Sequence, residues 1–304
     1  MLIHFVHAGG AYLPELDAYG QHLRSLGCAC QVHRSAATLP AAAEVIWWMC
    51  GRVSPAMAAR HPQAFQVHEY ASASVPPLAR AKDWVKRWSQ ALPQHRIFQN
   101  SWVRQRLGFA DQVPFDYRDM GLAPQFLTAS HAPRQAPEFD FVYVGEMARL
   151  RQFRPALEAI AECGKTLLLV GQLPPGDDRL LRHFTCTGRV PHAAVAAQLR
   201  RARVGLNLVP NRLPFAEQTS TKLLEYCAVG LPVASTDYAW ARRFAQQHGA
   251  RFVWLPGGSN ARAWHAALAR PFAATEFTVP DLHQLSWQQQ MQRLSVWQTL
   301  GLQA

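Results

Sequence analysis

The sequence predicts an α/β protein built from two doubly wound parallel sheets. Short apolar runs alternate with helical patterns from end to end, the order expected of parallel strands covered by helices. Residues 128–138, rich in proline and polar side chains and without periodicity, split that alternation into two series and read as a linker. At 304 residues and 49% hydrophobic, the chain can fill two cores.

In the first series, strands are expected at 2–7, 29–33, 45–49, 65–68 and 96–99, with a short piece near Val113. Helices are expected at 15–26, 77–91 and 101–107. In the second, strands fall at 139–144, 166–170, 184–187, 204–208, 232–235 and 251–254. Helices fall at 153–162, 192–201, 221–228, 238–248 and 260–268, and a last amphipathic helix starts near Ser286. The expected domains are 1–130 and 139–285, with 286–304 packing back across a central cleft. Doubly wound domains bind ligands at the carboxyl ends of their strands, so the crevice between them is the expected site.

The net charge of +11 implies an anionic partner, a nucleotide, an acidic glycan, a phospholipid surface or nucleic acid, or else serves general solubility. Much of the excess is arginine on helices, such as Arg200, Arg201 and Arg203, and no aromatic-basic module for nucleic acid stands out. No apolar run reaches the length of a membrane span, and Met1-Leu-Ile-His-Phe-Val-His lacks the form of a signal peptide. The six cysteines form no framework, which reads as reduced thiols in a cytoplasmic protein with, at most, peripheral membrane contact. Cys28-Ala-Cys30 has no second ligand pair, and no HExxH, Walker loop or metal-binding acid pair is evident, so no metal is expected. Asp177-Asp178, after Pro174-Pro175-Gly176, reads as a helix start.

The most informative stretch is 214–236, which reads as loop, helix, glycine stop at Gly230 and buried strand. Ser220 or Thr221 serves as N-cap, which puts Lys222 in the first turn, where unpaired amides and the helix dipole attract anions. Glu217 and Glu225 flank that turn, eight positions apart. Amides and a lysine suit a phosphate, and carboxylates accept from sugar hydroxyls. The alternative is a solvated surface pair, since Lys222 and Glu225 stand three apart on a helix.

Three further places could touch a ligand. Gly9 and Gly10 follow the first strand and permit close backbone approach, or simply a tight turn. Gly145 ends the first strand of the second series, and Arg149 and Arg151 follow as a candidate phosphate clamp or a solvated turn. His68 ends a strand and could donate to a substrate hydroxyl or be structural; His183, His192, His248 and His265 receive no role.

With these residues placed, residues 139–300 resemble the retaining glycosyltransferases of the GT-B fold, the nucleotide-sugar-dependent group called family 4. The matching segments come in order: Phe141-Val-Tyr-Val-Gly145, Thr166-Leu-Leu-Leu-Val-Gly171, Thr187-Gly-Arg-Val190-Pro, Val204-Gly-Leu-Asn-Leu-Val-Pro210, the Glu217-x7-Glu225 signature, Tyr226-Cys-Ala-Val-Gly-Leu-Pro-Val, and Ser286-Trp-Gln. In the first domain the clearest echo is Ile97-Phe-Gln-Asn-Ser-Trp-Val. The sequence departs from the family at Glu146, where an arginine is usual, and at Arg151, which holds the lysine position; Gln218 and Ser220 replace glycines.

The resemblance implies two Rossmann-like domains and transfer of a sugar, with retention, from a nucleotide diphosphate-sugar to a glycan or lipid-linked acceptor, without cofactor or metal. It makes Glu217, His68, Lys222 and Arg151 the catalytic group. Gly9, Gly10, Gly145, Arg149, Val190, Ser220, Thr221 and Glu225 would bind the donor: Glu225 at the ribose, the Ser220 and Thr221 amides at the diphosphate, Val190 at the base. The basic surface and Trp84, Trp88 and Trp102 suit a lipid-linked or cell-envelope glycan as acceptor, although core packing explains the tryptophans more cheaply. A nucleotide-sugar epimerase of the same fold and a non-catalytic nucleotide-sugar or nucleic-acid binder are the alternative functions.

Overall fold

The structure is a computed structural model that describes residues 1–9, 12–49, 52–129, 135–174 and 179–302. The chain forms two compact units, Met1–Gly121 with Trp287–Ala304, and Leu122–Ser286.

The first unit holds six strands: β1 (Leu2–Val6), β2 (Ala29–His33), β3 (Val45–Trp48), β4 (Phe65–Tyr70), β5 (His95–Phe98) and β6 (Phe115–Tyr117). They pair in parallel in the order β2-β1-β3-β4-β5-β6, with Ile3 opposite both Cys30 and Val45. Helices α1 (Pro14–Ser25), α2 (Pro55–Ala58), α3 (Ala79–Ser89) and α4 (Ser101–Leu107) connect them. β3, Val-Ile-Trp-Trp, is buried along its whole length, as a central parallel strand covered on both faces must be.

The second unit carries α5 (Pro124–Ala129), β7 (Phe139–Val144), α6 (Arg154–Glu162), β8 (Leu167–Val170), β9 (Thr185–Cys186), α7 (His192–Leu199), β10 (Ala202–Asn207), α8 (Thr221–Ala228), β11 (Val233–Thr236), α9 (Ala239–Gln247), β12 (Val253–Leu255) and α10 (Ala261–Ala269). Its parallel sheet runs β12-β11-β10-β7-β8-β9. Its core gathers Phe141, Tyr143, Leu169, Leu206 and Trp264 from strands and helix. At the chain end, α11 (Trp287–Gln292) and α12 (Val296–Thr299) belong to the first unit, where Trp297 stacks beside Trp47 at 5.6 Å between ring centroids.

Several expected elements differ in detail. The single last helix is two short ones, separated where the Ser295 hydroxyl and the Val296 amide both donate to Asp116. The strand expected near Val113 lies at β6, because Val113 donates instead to Asp111 in a turn. α3 starts at Ala79 and not at residue 77, since Leu78 has a left-handed backbone (φ 59°) that a helix cannot continue. Thr128 and Ala129, expected in the linker, close α5; residues 130–134 and Asp177-Asp178 lie outside the described residues. Trp84 and Trp88 are 61% and 70% exposed, so core packing does not account for them, whereas Trp102 packs against the Tyr70–Phe98 cluster.

Among the described residues, no helix is long and apolar enough to cross a membrane, and no group of acidic, histidine and cysteine side chains could hold a metal. Cys28, Cys30, Cys163, Cys186 and Cys227 are free thiols.

Candidate functional site

The strand order of the second unit reverses direction between β7 and β10, and ligands of doubly wound sheets bind at the carboxyl ends of such a pair. Gly145, just past the end of β7, and Asn207, the last residue of β10, mark those ends. Asn207 is fully buried and ties four elements together. Its side-chain amide donates to the Ser235 hydroxyl (2.8 Å) and to the Tyr238 hydroxyl (3.1 Å). Its side-chain carbonyl accepts from the Ser220 hydroxyl at 2.7 Å. Ser220 Oγ in turn accepts from the Leu223 amide, which caps α8.

The other end of α8 is set by Tyr226. Its ring lies flat on β10 at Gly205, where a Cβ would stand 2.6 Å from the ring. Its hydroxyl accepts from the Val144 amide at 3.1 Å, so the helix is pinned to the last residue of β7. Glycine is required just after β7 and again just after β8. Gly145 has φ +127°, and Gly171 has φ +153° with no room for a Cβ against the Gly145 carbonyl. Together these contacts set the first turn of α8 beside the β7 turn.

Lys222 projects from that first turn. Its Nζ lies 5.5 Å from the centre of the Tyr143 ring, and its Cε lies alongside Gly145. Burial, reinforced by the nearby Arg149 guanidinium and opposed by Glu225, lowers the ammonium to about 8. Burial pushes the Tyr143 phenol up to about 12. The first-turn amides of α8 have no intrahelical acceptors, so the dipole, the amides and Lys222 form one electropositive spot.

Gly145, Ser220, Thr221, Lys222 and Glu225 come together around the start of α8, with Arg149 close enough to act on Lys222. Arg149 is exposed and pairs with Glu146 at 3.0 Å; Arg151 is also exposed. Glu225 meets His192 Nε2 at 3.3 Å, and Val190 lies two residues before that histidine, at the start of α7. Glu217 closes a short turn before α8 and forms an ion pair with Arg243 of α9. In the first unit, His68 is 1% exposed within β4, with Nδ1 at 3.0 Å from the Gln90 side-chain nitrogen. Burial and Arg96 drop it to about 3, so it is neutral at ordinary pH. Gly9 follows β1 beside the His7 ring, and Gly10 lies outside the described residues.

Sequence reasoning passed over His192, Arg243 and Asn207. His192 is held by Gln125 and by the Phe126 ring of α5, contacts between segments more than sixty positions apart. Asn207 did leave a signal, a polar side chain inside an otherwise apolar strand.

Residues 138–272 fit the family model described as Glycosyl transferases group 1. No curated protein matches the chain. Among solved structures, Anabaena Alr3699/HepE in complex with UDP-glucose is similar over 99% of both chains, at 14% identity and a TM-score of 0.60. AviGT4, a glycosyltransferase involved in avilamycin A biosynthesis, is similar over 90% of both, at 15% identity and a TM-score of 0.56. The fold is therefore GT-B, with two Rossmann-like units. The group 1 segment contains the whole α8 site, from Gly145 to Arg243.

Proposed function

We propose that the protein is a glycosyltransferase that moves a sugar, with retention of configuration, from a nucleotide diphosphate donor to a glycan or lipid-linked acceptor. The observation that carries this reading is the meeting of Lys222, the first turn of α8 and the Gly145 turn at the β7–β10 reversal, with Glu225 about one turn further along. Breaking the glycosidic C–O bond leaves its electron pair on the diphosphate. Preorganised donors aimed at that growing charge lower the barrier without reorganisation. Lys222, the α8 amides and Arg149 fill that role with no metal.

Glu225, oriented by His192, accepts from the ribose hydroxyls, and Val190 meets the base through its backbone. Glu217, in the turn before α8, contacts the donor sugar by exchanging one partner of its pair with Arg243. The protein works in the cytoplasm, in peripheral contact with an anionic membrane. The exposed Trp84 and Trp88 and the exposed Arg80 and Arg87 of α3 support that contact.

Thermal shift with UDP, GDP, ADP and UDP-glucose tests the donor site directly, because a ligand stabilises the state that binds it. One nucleotide should raise the melting temperature of the wild type. Lys222→Ala and Glu225→Ala should each lower turnover by at least about tenfold. Wild-type rates in both variants would remove the site, and a new sugar isomer formed from donor alone would make the enzyme an epimerase.

A further inference from the structure

The first unit has its own direction reversal, between β1 and β3, and a cavity of about 200 Å³ opens there. His7 and Met49, just beyond those strands, line it with Glu15, Glu69 and Ser72. Glu15 and Glu69 are each 3% exposed. Glu69 is engaged through both oxygens: it accepts from Trp47 (2.7 Å) and Tyr19 (3.0 Å) and pairs with Arg118. Glu15 is not, because its Oε2 is buried with no hydrogen-bond partner in the protein. Burial also raises the Glu15 carboxyl above its usual range, against the pull of Arg118. A buried polar atom without a partner is costly unless a ligand satisfies it.

A second, larger cavity of about 610 Å³ adjoins the first, and Ser72 and Lys86 line both. Its walls are apolar, from Val75, Leu78, Ala81 and Val85 on the loop before α3 and on α3 itself. Leu78 is 76% exposed and Val85 43%, so this apolar strip faces solvent. The cations Arg52, Lys82 and Lys86 edge it, and Asp83, the acid of α3, is buried against Arg106 and the Ser74 amide. An apolar groove, a cationic junction and a polar pocket thus lie in series within one unit.

We propose that this series is the acceptor site and that its occupant is an amphiphile: a long apolar chain joined through a phosphate to a hydroxylated ring. The chain lies along Val75, Leu78, Ala81 and Val85. The phosphate sits at Lys86, and the ring enters the pocket, where one hydroxyl reaches Glu15 Oε2. The inference rests on the glycosyltransferase reading and gives its acceptor a chemical class.

The test is calorimetric binding of three probes to the full chain, without donor and below micelle-forming concentrations. Dodecyl phosphate carries chain and phosphate, dodecyl β-glucoside chain and ring, and glucose 1-phosphate ring and phosphate. Dodecyl phosphate should bind at least about tenfold more tightly than glucose 1-phosphate, since apolar burial dominates the contact. Val85→Glu and Ala81→Glu, both at exposed positions, should each weaken the two dodecyl probes at least about tenfold and spare glucose 1-phosphate. Lys86→Gln should weaken only the two phosphates, and Glu15→Leu only the two ring-bearing probes. Equal affinity for dodecyl phosphate and glucose 1-phosphate, or dodecyl binding unchanged in both glutamate variants, would overturn the proposal. Nucleotide-induced thermal stabilisation should be unaltered in every one of these variants. Its absence from the wild type would count against the donor reading instead.

Discussion

The two units share an architecture and differ in what they bury at the point where it opens. Each has six parallel strands with one reversal of order, between β7 and β10 in the second unit and between β1 and β3 in the first. In the second unit the strand ends are joined by a neutral network, Asn207 with Ser220, Ser235 and Tyr238, and Lys222 brings a positive charge to the opening, within the influence of Arg149 and Glu225. In the first unit the corresponding place buries two carboxylates and a guanidinium, Glu15, Glu69 and Arg118, all under 5% exposed. The strand order selects where a ligand can enter. The side chains at the strand ends select its charge, which on the proposed reading is a diphosphate at one opening and hydroxyls with a single phosphate at the other.

The largest effect should come from removing one buried charge from the first unit. Arg118 is fully buried, pairs with both Glu69 and Glu15, and lies 5.6 Å over the Trp287 ring. Arg118→Met keeps the length of the side chain and strands two buried carboxylates, a loss of about 3–5 kcal/mol. Hydrogen exchange resolved by peptide should show that loss in β4 and α1, while β7 and α8 keep their protection. Equal loss in both units would mean that the network stabilises the molecule as a whole. Loss below about 1 kcal/mol would mean that the cluster is as weak as a surface pair.

The parts of this arrangement that were legible in the sequence are those written in local pattern. Among the described residues, all twelve strands lie at or within a few residues of their apolar runs, and α4, α8 and β7 have the expected bounds. Ser220, as a capping side chain, and Gly145, as a strand-end glycine, announced the α8 site because each acts through its own backbone. Long-range polar contacts left no such mark. Nothing near residue 192 in sequence places that histidine against Glu225, and nothing near residue 118 shows that its arginine will be enclosed by acids from α1 and β4. α2 and α5, four and six residues long, are too short for a helical period to show.

A smaller effect separates structure from binding within the second unit. Asn207→Ala removes the acceptor of the Ser220 hydroxyl and the donor to Ser235 and Tyr238, all of them buried. A loss of about 1–3 kcal/mol is expected for the unpaired groups left behind. Because Ser220 caps α8, nucleotide affinity should fall as well, whereas dodecyl phosphate affinity should hold. A parallel fall in both ligands would show that the two openings are not independent.

The smallest effect is a titration, and its sign distinguishes a diphosphate site from a merely buried lysine. In the free protein Lys222 is lowered from 10.5 to about 8, so between those values the unfolded chain holds a proton that the folded chain has released. Stability of the ligand-free second unit should therefore rise with pH across that window. Nucleotide binding runs the other way, because a diphosphate favours the ammonium and binding above pH 8 must take up a proton. The dissociation constant of the nucleotide found by thermal shift should rise by as much as about tenfold per pH unit above 8, equivalent to about 1.4 kcal/mol. Calorimetry in buffers of different ionisation enthalpy would register the proton uptake itself. Lys222→Met should abolish both trends at once; a variant that kept the pH dependence of binding would assign it to another group and leave Lys222 outside the diphosphate site.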